Sequence, residues 1–192
     1  MNSELSKGQF REDTERDRLL LERIASLDLE DNGVFQEVFA IVKNRCHRLD
    51  RTTFVERKER VRGKGQVIPP EFDLAFLDQT TLQIYVNTDT VPEEAVEEII
   101  EHEATELVHV LAKTPSGEKP KKETWREAHH EALLREYAKA KEKERLEQHH
   151  AWLVSYLETL KRQFHDNLIL TQTIDRQIQE RTDVYKQLST SD

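Results

Sequence analysis

The chain has 192 residues, of which 36% are hydrophobic and 35% charged, and it carries a net charge of -9 at pH 7. This composition can build a core but excludes a membrane protein, because no apolar stretch approaches the roughly 20 residues that span a bilayer. The single cysteine excludes an internal disulfide and a thiolate zinc site, and the acidic balance argues against general nucleic-acid binding. We therefore expect a soluble, cytoplasmic protein.

The N-terminal part of the chain is predicted to be helical. Apolar residues recur at helical spacing over residues 12–30, and a second helix is predicted over residues 34–49. Asp31-Asn32-Gly33 predicts the turn between them. Cys46 falls near the apolar residues of the second helix and is expected in the core. The apolar positions are Leu20, Ile24 and Leu27 in the first helix and Val34, Phe35, Val38, Phe39 and Val42 in the second.

The pattern changes from residue 61, because glycines and prolines at residues 63–70 break helices. Alternating apolar residues then predict two short strands, the second over residues 81–87. Thr90 is predicted to cap a helix over residues 91–113, whose first turn carries a proline and two glutamates. The alternating residues are Phe72, Leu74 and Phe76, followed by Leu82, Ile84 and Val86.

The C-terminal part is predicted to form one long helix. After a polar loop, residues 125–188 contain no Gly or Pro, and from residue 153 apolar side chains recur at alternating spacings of four and three. Such a seam is typical of a two-helix coiled coil. We expect residues 153–188 to form one helix that buries the seam against the N-terminal helices, another copy of the chain or a protein partner. The seam positions are Leu153, Leu157, Leu160, Phe164, Asn167, Thr171, Ile174, Ile178, Arg181, Tyr185 and Leu188.

These elements together predict a mostly helical α+β fold in three segments. Residues 1–60 supply the N-terminal helices, and residues 61–141 form a small strand–helix core. Residues 142–192 form a long helical extension with a coiled-coil-like seam. Any chemistry is expected in the middle segment, because its helix carries the candidate ligands described next.

The predicted helix over residues 91–113 presents a candidate metal site. At about 100° per residue, His102, Glu106 and His109 fall within about 60° of one another on its surface. Zinc accepts imidazole and carboxylate ligands, and a catalytic zinc site commonly uses three of them and leaves one position for water. Glu103 would then stand where a general base takes a proton from that water. Residues 89–106 hold eight Asp or Glu and no Lys or Arg, so a solvated acidic helix face is the simpler reading.

A family resemblance supports the metal site. The stretch IYVNTDTVPEEAVEEIIEHEATELVHV, followed by EAHHEALLREYAKAKE, resembles the minimal zincin-like metallopeptidase domains found in bacterial and phage proteins. In that group a His-Glu-x-x-Glu helix is followed, after a loop, by an Ala-His-x-x-Ala-x-x-x-Glu helix. The resemblance covers roughly residues 60–141. The second motif is matched here by Ala128, His129, Ala132 and Glu136.

The resemblance implies a zinc-dependent peptidase with a small zincin-like core. It assigns His102, Glu106 and His129 as zinc ligands and Glu103 as the general base. The implied substrate is a protein or peptide, whose peptide or amide bond is hydrolysed by a metal-activated water.

Other arrangements stay open. His130 can reach the same stripe as His129 if the segment after the loop runs back along the helix, and His109 competes for the third position. Two Glu-x-x-His pairs, Glu127 with His130 and Glu147 with His150, have the spacing of di-iron carboxylate bundles. The alternative function is a non-enzymatic helical scaffold or interaction protein with a metal-free or structural-ion site.

The remaining chemistry-bearing residues are expected to be structural. His149 and His150 lie in a Glu/Lys-rich run and are predicted to occupy a solvated helix face. Tyr85 and Trp125 are predicted to be packing residues and not substrate platforms. Residues 43–64 hold nine Lys or Arg against three Asp or Glu, which keeps nucleic-acid binding open as a weaker alternative to a solvated surface.

Overall fold

The computed structural model of the chain describes residues 15, 18–20, 22, 32–62, 73–78, 81–114 and 118–190. The described residues form a mostly helical α+β fold with a small three-stranded sheet, as the sequence predicts. Within them, no helix is long and apolar enough to cross a membrane. In chain order the elements are α1 (Asn32–Asn44), β1 (Cys46–Leu49), α2 (Arg51–Arg62), β2 (Ala75–Asp78), β3 (Gln83–Asn87), a 3-10 turn (Glu93–Ala95), α3 (Val96–Lys113), α4 (Lys122–Glu142), α5 (Leu146–Gln163) and α6 (Leu168–Ser189).

The sheet confirms the two predicted strands and adds one. Its order is β1-β3-β2, with β1 parallel and β2 antiparallel to the central β3. The prediction of a helix as far as residue 49 is wrong, because α1 ends at Asn44 and β1 begins two residues later. Asp50 then starts α2, since its side-chain oxygen accepts a hydrogen bond from the Thr53 N–H at 3.0 Å. Cys46 is half-buried and packs against the core from the strand.

Only part of the predicted N-terminal region lies within the described residues. The predicted helix over residues 12–30 lies mostly outside the described residues, although Leu20 is buried in the main cluster. The turn predicted at residues 31–33 is wrong where it is described, because Asn32 and Gly33 belong to α1.

The sheet lies between helices on its two faces. On one face Ile84 and Val86 belong to the main hydrophobic cluster, together with residues of α1 and α3. On the other face Phe54 of α2 packs edge-on against Phe76, which stacks on Tyr85. Tyr85 is therefore a packing residue, as predicted.

Cations of the basic stretch at residues 43–64 are engaged within the fold. Lys58 is buried and pairs with Asp73, and the Arg57 guanidinium lies 5.2 Å from the Tyr85 ring centre. Lys43 pairs with Glu97 at 2.9 Å. Much of this positive charge is thus compensated by the protein itself.

The helix that carries the candidate ligands begins later than predicted. Thr90 does not cap it, because its N–H bonds to the Asn87 carbonyl in a turn and the 3-10 turn intervenes before α3 starts at Val96. The helix ends at Lys113, as predicted. It occupies the centre of the molecule, since it packs against α1 and the sheet and against α4.

The prediction of a single helix over residues 153–188 is wrong. The chain breaks after α5 and reverses, so that α5 and α6 pack side by side, and α4 packs on both. Asn167 caps α6 through a hydrogen bond from the Leu170 N–H to its side chain, and Glu144, with φ 58°, occupies the turn between α4 and α5. Leu157, Leu160 and Ile174 of the predicted seam are buried inside this hairpin, whereas Leu153 is buried in a separate cluster with α4 and Asn167 is exposed. The buried core of the hairpin consists of Leu157, Leu160, Leu170 and Ile174.

Candidate metal centre

The α3 and α4 helices bring the three predicted ligands together. His102 and Glu106 lie one turn apart on α3, and His129 faces them from α4. His129 Nδ1 lies 2.7 Å from Glu106 Oε1, and His102 Nε2 lies 3.5 Å from the same oxygen. The centres of the two imidazole rings are 5.0 Å apart. Small side chains at Ala128 and Ala132, both completely buried, allow α4 to approach closely.

The geometry of this group could hold a metal ion. One ligand atom from each of His102, Glu106 and His129 lies within 4.8 Å of the other two, and no other such group of His, Cys, Asp or Glu occurs among the described residues. In a tetrahedral site with bonds of about 2.1 Å, neighbouring ligand atoms are about 3.4 Å apart. The observed separations of 2.7 and 3.5 Å lie on either side of that value. The three donors are therefore close enough to one another to be candidates for the same ion.

A buried carboxylate stands behind the first ligand. Glu136 of α4 lies with Oε2 2.7 Å from His102 Nδ1 and with Oε1 2.7 Å from His149 Nε2 of α5. The Arg181 guanidinium of α6 lies 3.3 Å from both carboxylate oxygens. Because Glu136 engages Nδ1, the other ring nitrogen of His102 is the one that faces Glu106. The C-terminal hairpin thus helps to hold the candidate ligand in place.

Two carboxylates make the surroundings of His102 strongly negative. Burial opposes a charge on the ring, but the hydrogen bonds that the ring donates to Glu106 and Glu136 outweigh it and raise the pKa of His102 to about 10. Burial likewise opposes charge on the two carboxyls. The histidines hold the pKa of Glu106 below its ordinary range, and Arg181 with His102 does so for Glu136. The two carboxylates therefore stabilise a protonated His102 ring between them.

An open cavity of about 330 Å³ gives access to the group. Its lining includes all three ligands and Glu103, which is half-buried on α3. The opposite side is formed by α5 and α6, including Tyr156 and Gln177. Glu103 therefore lines the same open cavity as the three candidate ligands.

The competing ligand arrangements are not assembled. His109 is half-buried and outside the group, and burial followed by the nearby Lys113 lowers its pKa. The two Glu-x-x-His pairs lie on different helices, as a di-iron centre requires, but do not converge. Glu127 pairs with Lys113 at 2.6 Å, and His150 stacks on Tyr185. His130 is exposed and lines a second cavity next to the group.

Sequence reasoning missed the supporting network. The prediction that His149 lies on a solvated face is wrong, because this side chain is 1% exposed and bonded to Glu136. The same prediction is wrong for His150, which is half-buried against Tyr185. A signal was present, since His149 stands four residues before Leu153 and so continues the apolar seam. Arg181, the charged residue within that seam, was the second signal.

No family model, no curated protein and no solved structure matches this chain.

Proposed function

We propose that this chain is a zinc-dependent hydrolase of peptide or amide bonds, of the zincin-like type, with His102, Glu106 and His129 as ligands. The convergence of these three side chains on the wall of an open cavity carries the proposal. Two histidines and one glutamate are a donor set that catalytic zinc sites use, and a fourth position is left for water or substrate. The common zincin motif has a second histidine where this chain has Glu106. Here His129, from the next helix, supplies the second imidazole.

The protein's own residues have separate roles in this proposal. Glu136 accepts a hydrogen bond from His102 Nδ1–H and so fixes the tautomer and orientation of the ring. His149 and Arg181 hold Glu136 in turn. When bound, zinc supplies Lewis-acid polarisation of the substrate carbonyl and a water that ionises near neutral pH.

Glu103 is the proposed general base. It takes a proton from the attacking water as the water oxygen bonds to the carbonyl carbon, and returns it to the departing amine nitrogen as the C–N bond breaks. Its place in the same cavity as the ligands supports this role, because a proton acceptor must reach the water without being a ligand itself.

A non-enzymatic scaffold is the second candidate. The observation that favours it is the charge balance around His102, because a protonated ring between Glu106 and Glu136 satisfies the site without a metal. In that case the network would join α3, α4, α5 and α6 as a structural ion-pair cluster. The cytoplasm is the proposed location for either function, since the one cysteine is a free thiol.

Replacing the proposed base tests the enzymatic function. The zinc-loaded protein is incubated with a mixed pool of quenched fluorescent peptides, and its Glu103→Gln and Glu94→Gln variants are treated alike. We expect Glu103→Gln to keep its zinc and to lose at least about 100-fold in rate, because proton transfer is removed and ligation is not. Glu94, exposed and outside the cavity, is the charge-matched control and should hydrolyse like the parent.

Two outcomes would contradict the proposal. If the Glu103→Gln protein loses its zinc, Glu103 is a ligand and not the general base. If it hydrolyses peptides at the parental rate, Glu103 has no part in catalysis. Absence of hydrolysis in the zinc-loaded parent across the whole pool would favour the scaffold.

A further inference from the structure

A second cavity adjoins the metal group from another side. Its volume is about 360 Å³, and Glu106, His129 and Gln177 line both this cavity and the first one. The two spaces therefore meet at the candidate ligands. A chain bound across the group would place one flank in each cavity.

The second cavity has a chemical character of its own. Three cations line it, namely Lys122 and Arg126 on α4 and Arg176 on α6, together with two carboxylates, Glu106 and Glu180. Leu133 and Trp125 supply apolar surface, and Trp125 is 39% exposed and lines the cavity, whereas the sequence predicts a packing residue there. Lys and Arg therefore outnumber Glu in the lining of this cavity, in a chain whose net charge is -9.

Two of the three cations make no ion pair with the described residues. Within the described part of the chain, neither Lys122 nor Arg126 has a hydrogen-bond or ion-pair partner. Arg176 has one loose ion pair, with Glu180 at 3.8 Å. The cavity also opens beside the start of α4, where the free N–H groups and the helix dipole favour a negative charge. A guanidinium binds a carboxylate through paired N–H donors, and the tryptophan face can pack against the adjoining chain.

We propose that the second cavity is a substrate subsite for a carboxylate-bearing peptide segment, with Arg126 as its principal anion-binding residue. The carboxylate is either an acidic side chain near the scissile bond or the free C-terminus of the peptide. This inference rests on the proposed function, because a substrate subsite requires an enzyme. Binding of the carboxylate itself can be measured without hydrolysis.

The test measures binding to the zinc-loaded Glu103→Gln protein, in which hydrolysis is suppressed. Three labelled tetrapeptides are compared by fluorescence anisotropy: one with a central Glu and an amidated end, one with Gln and an amidated end, and one with Gln and a free C-terminus. We expect one or both carboxylate peptides to bind at least about tenfold more tightly than the Gln amide. The tighter of the two identifies the source of the carboxylate.

A second substitution separates the cavity from general attraction. Adding Arg126→Gln should remove the preference. Adding Arg162→Gln, which changes an exposed arginine near the end of α5 outside both cavities, should keep it. Equal binding of all three peptides, or a preference that survives Arg126→Gln, would overturn the inference.

The same data distinguish this inference from the proposed function. If the zinc-loaded parent hydrolyses peptides but shows no carboxylate preference, the subsite is contradicted and the proposed function is not. If the protein instead neither binds zinc nor hydrolyses peptides, yet shows a carboxylate preference that Arg126→Gln abolishes, the result supports the carboxylate-binding cavity and contradicts the enzymatic function.

Discussion

Replacing Glu136 by glutamine removes the charge at the centre of the buried network while keeping the volume of the side chain. Glu136 is completely buried and contacts His102, His149 and Arg181. Arg181 is 7% exposed, so its charge would stay buried without its carboxylate partner. Breaking one partner of a buried pair typically costs about 3–5 kcal/mol of unfolding free energy. For a chain of this size we expect Glu136→Gln to lower the thermal midpoint by about 10 °C.

The assay is urea and thermal unfolding of the metal-free protein, with Arg181→Met and the double variant measured alongside. The double variant has neither charge, so it should recover at least about half of the loss caused by Glu136→Gln alone. If Glu136→Gln costs less than about 0.5 kcal/mol, or if the two losses simply add, the network is not an energetically coupled unit. The Glu136→Gln variant should also bind zinc about 10- to 100-fold more weakly than the parent, because Glu136 orients His102.

Two further predictions concern stability away from the ligands. Lys143 and Lys43 hydrogen-bond Glu97 and lower its pKa from 4.5 to about 2, so its ion pairs stabilise fully above pH 4.5 and lose this effect as pH falls toward 2. In urea titrations, Glu97→Gln should therefore lower the unfolding free energy by up to about 1 kcal/mol at pH 7 and by almost nothing near pH 2. The control Glu94→Gln should leave the unfolding free energy nearly unchanged at both pH values. Leu160→Ala should cost about 2–5 kcal/mol in the same assay, because Leu160 is buried between α5 and α6, whereas the exposed Gln163→Ala should change little. Equal stabilities within either pair of variants would contradict the corresponding contact.

Local sequence patterns predicted the parts of the site that depend on one element. The spacing of His102 and Glu106 fixes both side chains on one face of α3 wherever that helix packs. The alternation around Ile84 predicts β3 for the same reason, because side chains of a strand point to opposite faces. Placing His129 near them needed the motif resemblance, since position on a second helix is not set by spacing.

The network and the C-terminal hairpin depend on contacts that are distant in sequence. Arg181 reaches Glu136 across 45 positions, and only because α6 folds back beside α4. That reversal needs no Gly or Pro, since Asn167 caps the new helix with its side chain. An uninterrupted seam in the sequence therefore predicted one long helix, whereas burial of the seam within the chain favours two shorter ones.

The zinc content of His129→Ala and His130→Ala tests the central claim most directly, because these neighbours on α4 differ in whether they face Glu106. Each purified protein is equilibrated with buffered zinc, freed of excess ion and measured by elemental analysis. We predict about one zinc ion per chain in the parent and in His130→Ala, and loss of most of it in His129→Ala. A parent without zinc, or a His129→Ala protein that keeps it while folded, would contradict the metal site.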